Sequence, residues 1–192
     1  TLYRMNVECD FIWPESENLD QYKAIVVPAL YAAPDELLIR LNQYVENGGT
    51  LIASFKTAFT NENVKVSHQV QPHILKNCLG VHYDQFTFPK NVGLTGEIIS
   101  KKNSLSEAKV FMELLTADGA EVLASYEHCN WKDYAAITRN HYGKGQAVYI
   151  GCMTDEDTLK AVYKAVLPEA DVEIPEYHYP IIVRKGTNDL GK

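Results

Sequence analysis

Basic runs, cysteine pairs and long apolar stretches are all scarce in this chain, and each scarcity removes a class of function. Its 192 residues hold 18 Lys and Arg against 25 Asp and Glu, a formal charge of −7. No basic run is longer than Lys101-Lys102, so the sequence offers no surface to a nucleic acid and none to an anionic membrane. No stretch approaches the ~18 to 20 uninterrupted apolar residues of a membrane span, and Thr1 to Asp10 lack the basic, apolar, small-residue order of a signal peptide. The four cysteines, Cys9, Cys78, Cys129 and Cys152, stand far apart, with no CxxC and no His at zinc-site spacing. Cys9 and Cys152 lie in apolar runs and read as small buried hydrophobes, and the pattern points to a reducing, cytoplasmic compartment rather than a disulfide framework. The length also excludes a (β/α)8 barrel, which needs about 250 residues. The chain opens on Thr1 rather than Met and stops at Asp189-Leu190-Gly191-Lys192 just after a strand-like run, so it is expected to be a piece of a longer polypeptide.

What is present is an ordinary globular composition, 46% apolar and 22% charged, with one core expected. Val7 to Ile12 alternates in part and reads as a short strand that exits at Trp13-Pro14. Tyr22 to Pro28 is a continuous apolar run of the kind found in parallel strands covered on both faces. Pro34, Asp35 and Glu36 then open a helix that Asn47-Gly48-Gly49 closes, so the spacing predicts a helix over Asp35 to Glu46. Leu37, Leu38, Leu41, Tyr44 and Val45 share one stripe of it, with Ile39 opposite. Thr50 to Phe55 is a second strand, which completes a βαβ unit and calls for a parallel sheet. Lys56 to Gln71 is polar, aperiodic and longer than the usual ~4 to 6 residue connection, a candidate functional loop. Pro72 to Leu79 reads as a short helix and Val81 to Phe88 as a strand. Val110 to Leu115 with Glu121 to Tyr126, and Ala135 to Tyr142 with Gln146 to Ile150, read as hairpins about Gly-containing turns. Thr154 to Asp157 resembles a capping box for a helix ending near Leu167, with Leu159, Val162, Tyr163, Val166 and Leu167 as its buried stripe. Val172 to Lys185 reads as a linker or edge strand.

The motifs that usually carry chemistry are incomplete in this sequence. Gly48-Gly49 ends a helix and Gly143-Lys144-Gly145-Gln146 turns a hairpin, so neither forms a dinucleotide or phosphate loop and no cofactor is implied. A nucleophile elbow after Thr50 to Phe55 needs small neighbours around its nucleophile, whereas Ser54 is followed by Phe55 and has no flanking glycine. The histidines His68, His73, His82, His128, His141 and His178 show one notable spacing, from His68 to His73, and that does not put both on one helical face; no metal site follows. The pairs Glu15/Glu17 and Asp155/Asp157 lie in hydrophilic sequence and read as solvated, not as a glycosidase acid and nucleophile. No catalytic residue is assigned.

Three blocks carry a resemblance: Cys9-Asp10-Phe11-Ile12-Trp13-Pro14; Leu19-x-x-Tyr22-Lys23-Ala24-Ile25-Val26-Val27-Pro28-Ala29-Leu30-Tyr31; and Leu41-x-x-Tyr44-Val45-x-x-Gly48-Gly49-Thr50-Leu51-Ile52. With Ala136 to Gly151 as a last hairpin, the chain from about Val7 to Leu167 resembles the central domain of glycoside hydrolase family 42 β-galactosidases. The resemblance implies an α/β fold, a flavodoxin-like or class I glutamine amidotransferase-like three-layer sandwich with added β-hairpins, over residues 1–170, with residues 171–192 a linker and the start of a truncated C-terminal β-domain. It implies a first strand upstream of Thr1. It also implies a homo-oligomer, a trimer in the parent, in which two glutamates on a preceding barrel hydrolyse terminal β-D-galactosides; none of them lies in this chain. The domain would sit beside the barrel mouth of a neighbouring protomer. Lys56, Thr57, Phe59, Asn61, Glu62 and Asn63 are then candidates to border the galactoside, and Ile39 is a candidate interface residue. Two rivals remain: an autonomous flavodoxin-like small-ligand enzyme, with its site near Pro28 to Ala33 and Lys56 to Asn63, and a free protein-binding module related by fold alone.

Overall fold

The computed structural model describes residues 1–99, 106–177 and 179–186. Lys101-Lys102, His178 and the final Asp189 to Lys192 lie outside the described residues. The apolar run of the second block forms β1 (Ala24–Val27), followed by α1 (Asp35–Glu46) and β2 (Thr50–Ser54). The two strands pair in parallel with Ala24 opposite Thr50, so the βαβ unit is present as expected. β1 ends the sheet, and only Ile25 of its four residues is fully buried rather than the whole run. Helix α1 buries its predicted stripe, Leu37, Leu38, Leu41, Tyr44 and Val45. The Tyr44 hydroxyl donates to the Tyr22 carbonyl at 2.8 Å, which anchors the helix over the strand it follows.

Short elements fill the middle of the chain. Lys76–Leu79 is α2, preceded by a 3-10 turn at His73–Leu75 and stopped by Gly80 at φ 63°. The single strand expected over Val81 to Phe88 is two: β3 (Val81–His82) and β4 (Phe86–Thr87). Next come β5 (Val92–Thr95), β6 (Glu107–Glu113), β7 (Thr116–Ala117), β8 (Glu121–Glu127), β9 (Ala135–Tyr142), β10 (Gly145–Ile150), β11 (Cys152–Met153) and α3 (Glu156–Val166). Among the described residues the main sheet has nine strands, ordered β1-β2-β10-β9-β8-β5-β6-β11 with β4 also on β6. β1, β2 and β10 are parallel and the added strands antiparallel. The expected hairpin between Val110–Leu115 and Glu121–Tyr126 does not form: β5 inserts between β6 and β8, and β7 turns away to pair with β3.

Alternate residues of the central strands face opposite cores, which makes three layers. Leu51, Ala53, Ala147 and Tyr149 pack under α1 and α2, whereas Ile52, Val148 and Ile150 pack under α3 and the N-terminal segment. Asp155, not Thr154, caps α3: its Oδ1 accepts the Thr158 N–H at 2.8 Å. Thr158 takes a buried place on that helix while Leu159 is half-buried. Val7 to Ile12 is not a strand. Having no strand partner, the segment buries Val7 and then runs over the surface, with Phe11 95% and the following Trp13 73% exposed, and Cys9 is exposed while Cys152 is buried. The described residues past Val172 also form no strand; Asn6 receives them, donating to the carbonyls of Tyr177 and Ile181.

One junction is close enough to fix its own sequence. The end of α1 meets the β9–β10 turn backbone to backbone. A Cβ on Gly145 would lie 2.2 Å from the Gly49 carbonyl oxygen and 2.3 Å from that of Val45, and one on Gly143 would lie 2.5 Å from that of Glu46.

Candidate functional site

Open α/β sheets place their functional loops beyond the carboxyl ends of the parallel strands, and there β2 gives way to Lys56. Phe55 N–H donates to the Ile150 carbonyl at 2.7 Å, which holds the chain to the end of β10. Lys56 then turns into the left-handed region at φ 65°, a costly conformation for a side-chain-bearing residue. Such a strained strand-to-loop turn is where a nucleophile elbow would carry its nucleophile. Lysine stands there instead, and Ser54 accepts the Ala29 N–H at 2.8 Å as an ordinary strand-end tie.

What holds the turn is a carboxylate that the sequence reading missed. Glu113, at the end of β6, is 0% exposed. Its Oε1 accepts the Lys56 N–H at 2.8 Å and its Oε2 accepts the Tyr149 hydroxyl at 2.8 Å. The Tyr83 hydroxyl lies beside the same group without a well-formed hydrogen bond of its own, and the Tyr126 hydroxyl donates to the Glu113 carbonyl at 2.8 Å. Burial pushes the Glu113 carboxyl up to about 7, against the opposing pull of the Lys56 N–H, Tyr149, Tyr83 and the Lys56 charge. Burial likewise lowers the Lys56 amine, and the Glu113 charge opposes that shift.

Above the turn the Lys56 ammonium sits among rings, 3.8 Å from the centroid of Phe59, 4.0 Å from Phe86 and 4.5 Å from Phe111, where π faces favour the charged form. Tyr31 stacks on Phe59 at 5.5 Å, and Phe88 meets Phe111 edge-on at 6.2 Å. Phe88 is 75% exposed, with Phe86 and Tyr31 also exposed. The Pro28 to Ala33 and Lys56 to Asn63 segments are therefore brought together, joined also by Ala58 N–H to Leu30 and Ala33 N–H to Thr60.

The candidate loop residues divide by place. Lys56 and Phe59 belong to the ring cluster. Thr57 is 0% exposed; its hydroxyl, with the Gln71 Oε1, is buried without a protein partner. The Asn61 Oδ1 is occupied by the N–H groups of Asn63 and Lys65, and the Asn63 amide donates to Glu62, so these three shape their own exposed turn. Ile39 is 44% exposed on the outer face of α1.

Histidine geometry is structural in the same region. His73 bridges Ser67 Oγ at 3.3 Å and Asp35 Oδ1 at 3.0 Å. Ser67 Oγ also accepts the Gln69 N–H, so the chain fastens the loop to the first turn of α1. His68 meets only Gln69 among the contacts described. No group of three or more metal-binding side chains occurs among the described residues, and no helix there is long and apolar enough to cross a membrane. At the opposite, amino end of the parallel strands lies an open depression of about 950 Å³ lined by Lys23, Gly49, His141, Lys144 and Gln146 among others.

Fold and site together define a three-layer α/β domain whose carboxyl edge carries a lysine, an aromatic cluster and a sealed carboxylate where related architectures place a nucleophile. The chain belongs to the β-galactosidase trimerisation domain family, whose model matches residues 1–173. It is 33% identical over 171 residues to the β-galactosidase LacZ of Heyndrickxia coagulans, covering 89% of this chain and 25% of that protein. It is 32% identical to the β-galactosidase BgaB of a Geobacillus strain, covering 86% and 24%. Among solved structures, a β-galactosidase from Bacillus circulans superposes with a TM-score of 0.80 at 26% identity, over 90% of this chain and 26% of that one. The chain thus spans about a quarter of the length of the curated relatives it matches.

Proposed function

We propose that this domain holds protomers together, as a trimer, in a β-galactosidase that hydrolyses terminal β-D-galactosides on a catalytic barrel outside the chain. The observation that carries the reading is the family match over residues 1–173, together with relatives roughly four times as long. The loop that begins at Lys56 borders the galactoside without forming the catalytic site; its support is the ring cluster and its position at the carboxyl edge. Aromatic faces stack on the apolar side of a sugar ring while an ammonium donates to hydroxyls. Four free thiols, two of them buried, suit a reducing cytoplasm. The test is a chromogenic β-galactoside assay on the purified chain beside the full-length polypeptide. The full-length protein turns substrate over and the chain alone matches the buffer blank. Turnover that follows the chain through purification overturns the reading in favour of an autonomous enzyme.

A further inference from the structure

Glu113 has a position and a chemistry that holding protomers together does not require. It is the one carboxylate among the described residues that is wholly sealed from solvent, and one of its two hydrogen bonds comes from the first residue of the loop proposed to border the galactoside. We propose that Glu113 is a positioning residue whose charge state sets the order of the 56–66 loop. As a carboxylate it clamps the left-handed turn at Lys56, and a proton loosens that hold, because a loop that lifts away while Glu113 itself stays sealed takes with it the N–H that favours the charged form. For its consequence on galactoside binding, the proposal rests on the loop reading given above.

The argument begins with donors. Lys56 N–H and the Tyr149 hydroxyl both donate to the carboxylate, and the Tyr83 hydroxyl stands beside it. A carboxylate only accepts, whereas a protonated carboxyl must donate once. A tyrosine hydroxyl can rotate to accept that hydrogen, but the Lys56 N–H can only donate. Protonation therefore strips the charge assistance from the bond to Lys56 and removes the carboxylate's attraction for the ammonium above it. What then remains at the turn is a side-chain-bearing residue at φ 65°, a conformation that persists only while its surroundings hold it.

The groups facing Glu113 leave it as the one that changes charge near neutrality. Lys56 lies above, Tyr83 and Tyr149 meet the carboxyl, Tyr126 binds its backbone carbonyl, and the Cys152 thiol feels its charge. Burial pushes the three phenols up and the Cys152 thiol up to about 12, so all four stay neutral. Burial lowers the Lys56 amine, while the Glu113 charge and the surrounding ring faces favour its ammonium. A carboxyl pushed up to about 7 goes from about nine-tenths charged at pH 8 to about one-tenth at pH 6.

Hydrogen exchange on the full-length polypeptide at these two pH values, corrected for intrinsic exchange, reads the loop directly. Amides 56–66 should open at least about threefold more at the lower pH while 145–150 in β10 stay protected. Glu113→Gln, which keeps the shape but cannot ionise, should abolish the difference. Equal protection of 56–66 in the wild type at both pH values overturns the latch, whether or not the variant folds. A second arm measures the KM for a chromogenic galactoside. The wild-type KM should rise relative to Glu113→Gln as pH falls, and Phe59→Ala with Asn61→Ala should raise KM at both pH values. A pH step in exchange without any effect on KM leaves the latch standing and removes the loop from the galactoside.

Discussion

A carboxyl sealed inside a protein binds its proton more tightly than it does in the unfolded chain, and Glu113 makes the consequence measurable. Its folded value of about 7 stands above the unfolded 4.5. The stability this provides is therefore fully present below the unfolded value and is lost as pH rises through about 7. The shift corresponds to about 3 kcal/mol. Urea titrations should find Glu113→Gln gaining on the wild type by about that amount between roughly pH 4.5 and 8; a constant gap would contradict the assignment. Asp155 runs the other way. Burial pushes its carboxyl up, but bonds from the Thr158 backbone and hydroxyl and from Thr154 prevail and hold it below the usual range. Its contribution is present at neutral pH and lost in acid. The start of α3 was legible in the Thr154 to Asp157 capping pattern, although Asp155 rather than Thr154 supplies the cap. Glu113 was not, although it left a trace: one acid inside the apolar run Val110 to Leu115. Nothing local to that run says that Lys56, far away in sequence, supplies its partner.

Elements were legible where their reasons are local. The helix Asp35–Glu46 carries its own period and stop signal, β2 follows it at once, and β9 and β10 close on a two-residue Gly-Lys link. The failures share a cause. β6 and β8 are neighbours in sequence and separated in space by β5, whose Val-Gly-Leu-Thr offers little pattern. Val7 to Ile12 has a partial alternation but no partner to make it a strand. Where an element depends on a contact with a distant backbone, substitution tests the contact better than any periodicity. Gly145→Ala drives a methyl into two carbonyl oxygens at 2.2 and 2.3 Å. Thermal unfolding should show a loss of about 3 kcal/mol or more, against almost none for Lys144→Ala in the same turn. Equal melting of the two variants would mean that the α1–hairpin junction yields easily.

At the scale of the whole molecule, the exposed face of α1 is the place to look for a neighbour. Ile39 projects from it at 44% exposure, opposite the stripe that the core consumes. If that face meets another protomer, Ile39→Asp buries a charge at the contact, and light scattering on the full-length protein should record a smaller assembly with an unchanged circular dichroism spectrum. An unchanged mass assigns Ile39 to open surface. The order of the central strands has a different kind of consequence. β2 lies between β1 and β10, and Thr50 must find Gln146, which is joined to the chain almost a hundred residues later. On the ribosome, β1, α1 and β2 emerge long before the strand that covers the far edge of β2. The nascent domain must therefore carry an unfinished sheet through most of its own synthesis, and the Phe55 link to Ile150, with the loop it roots, is among the last features to be set.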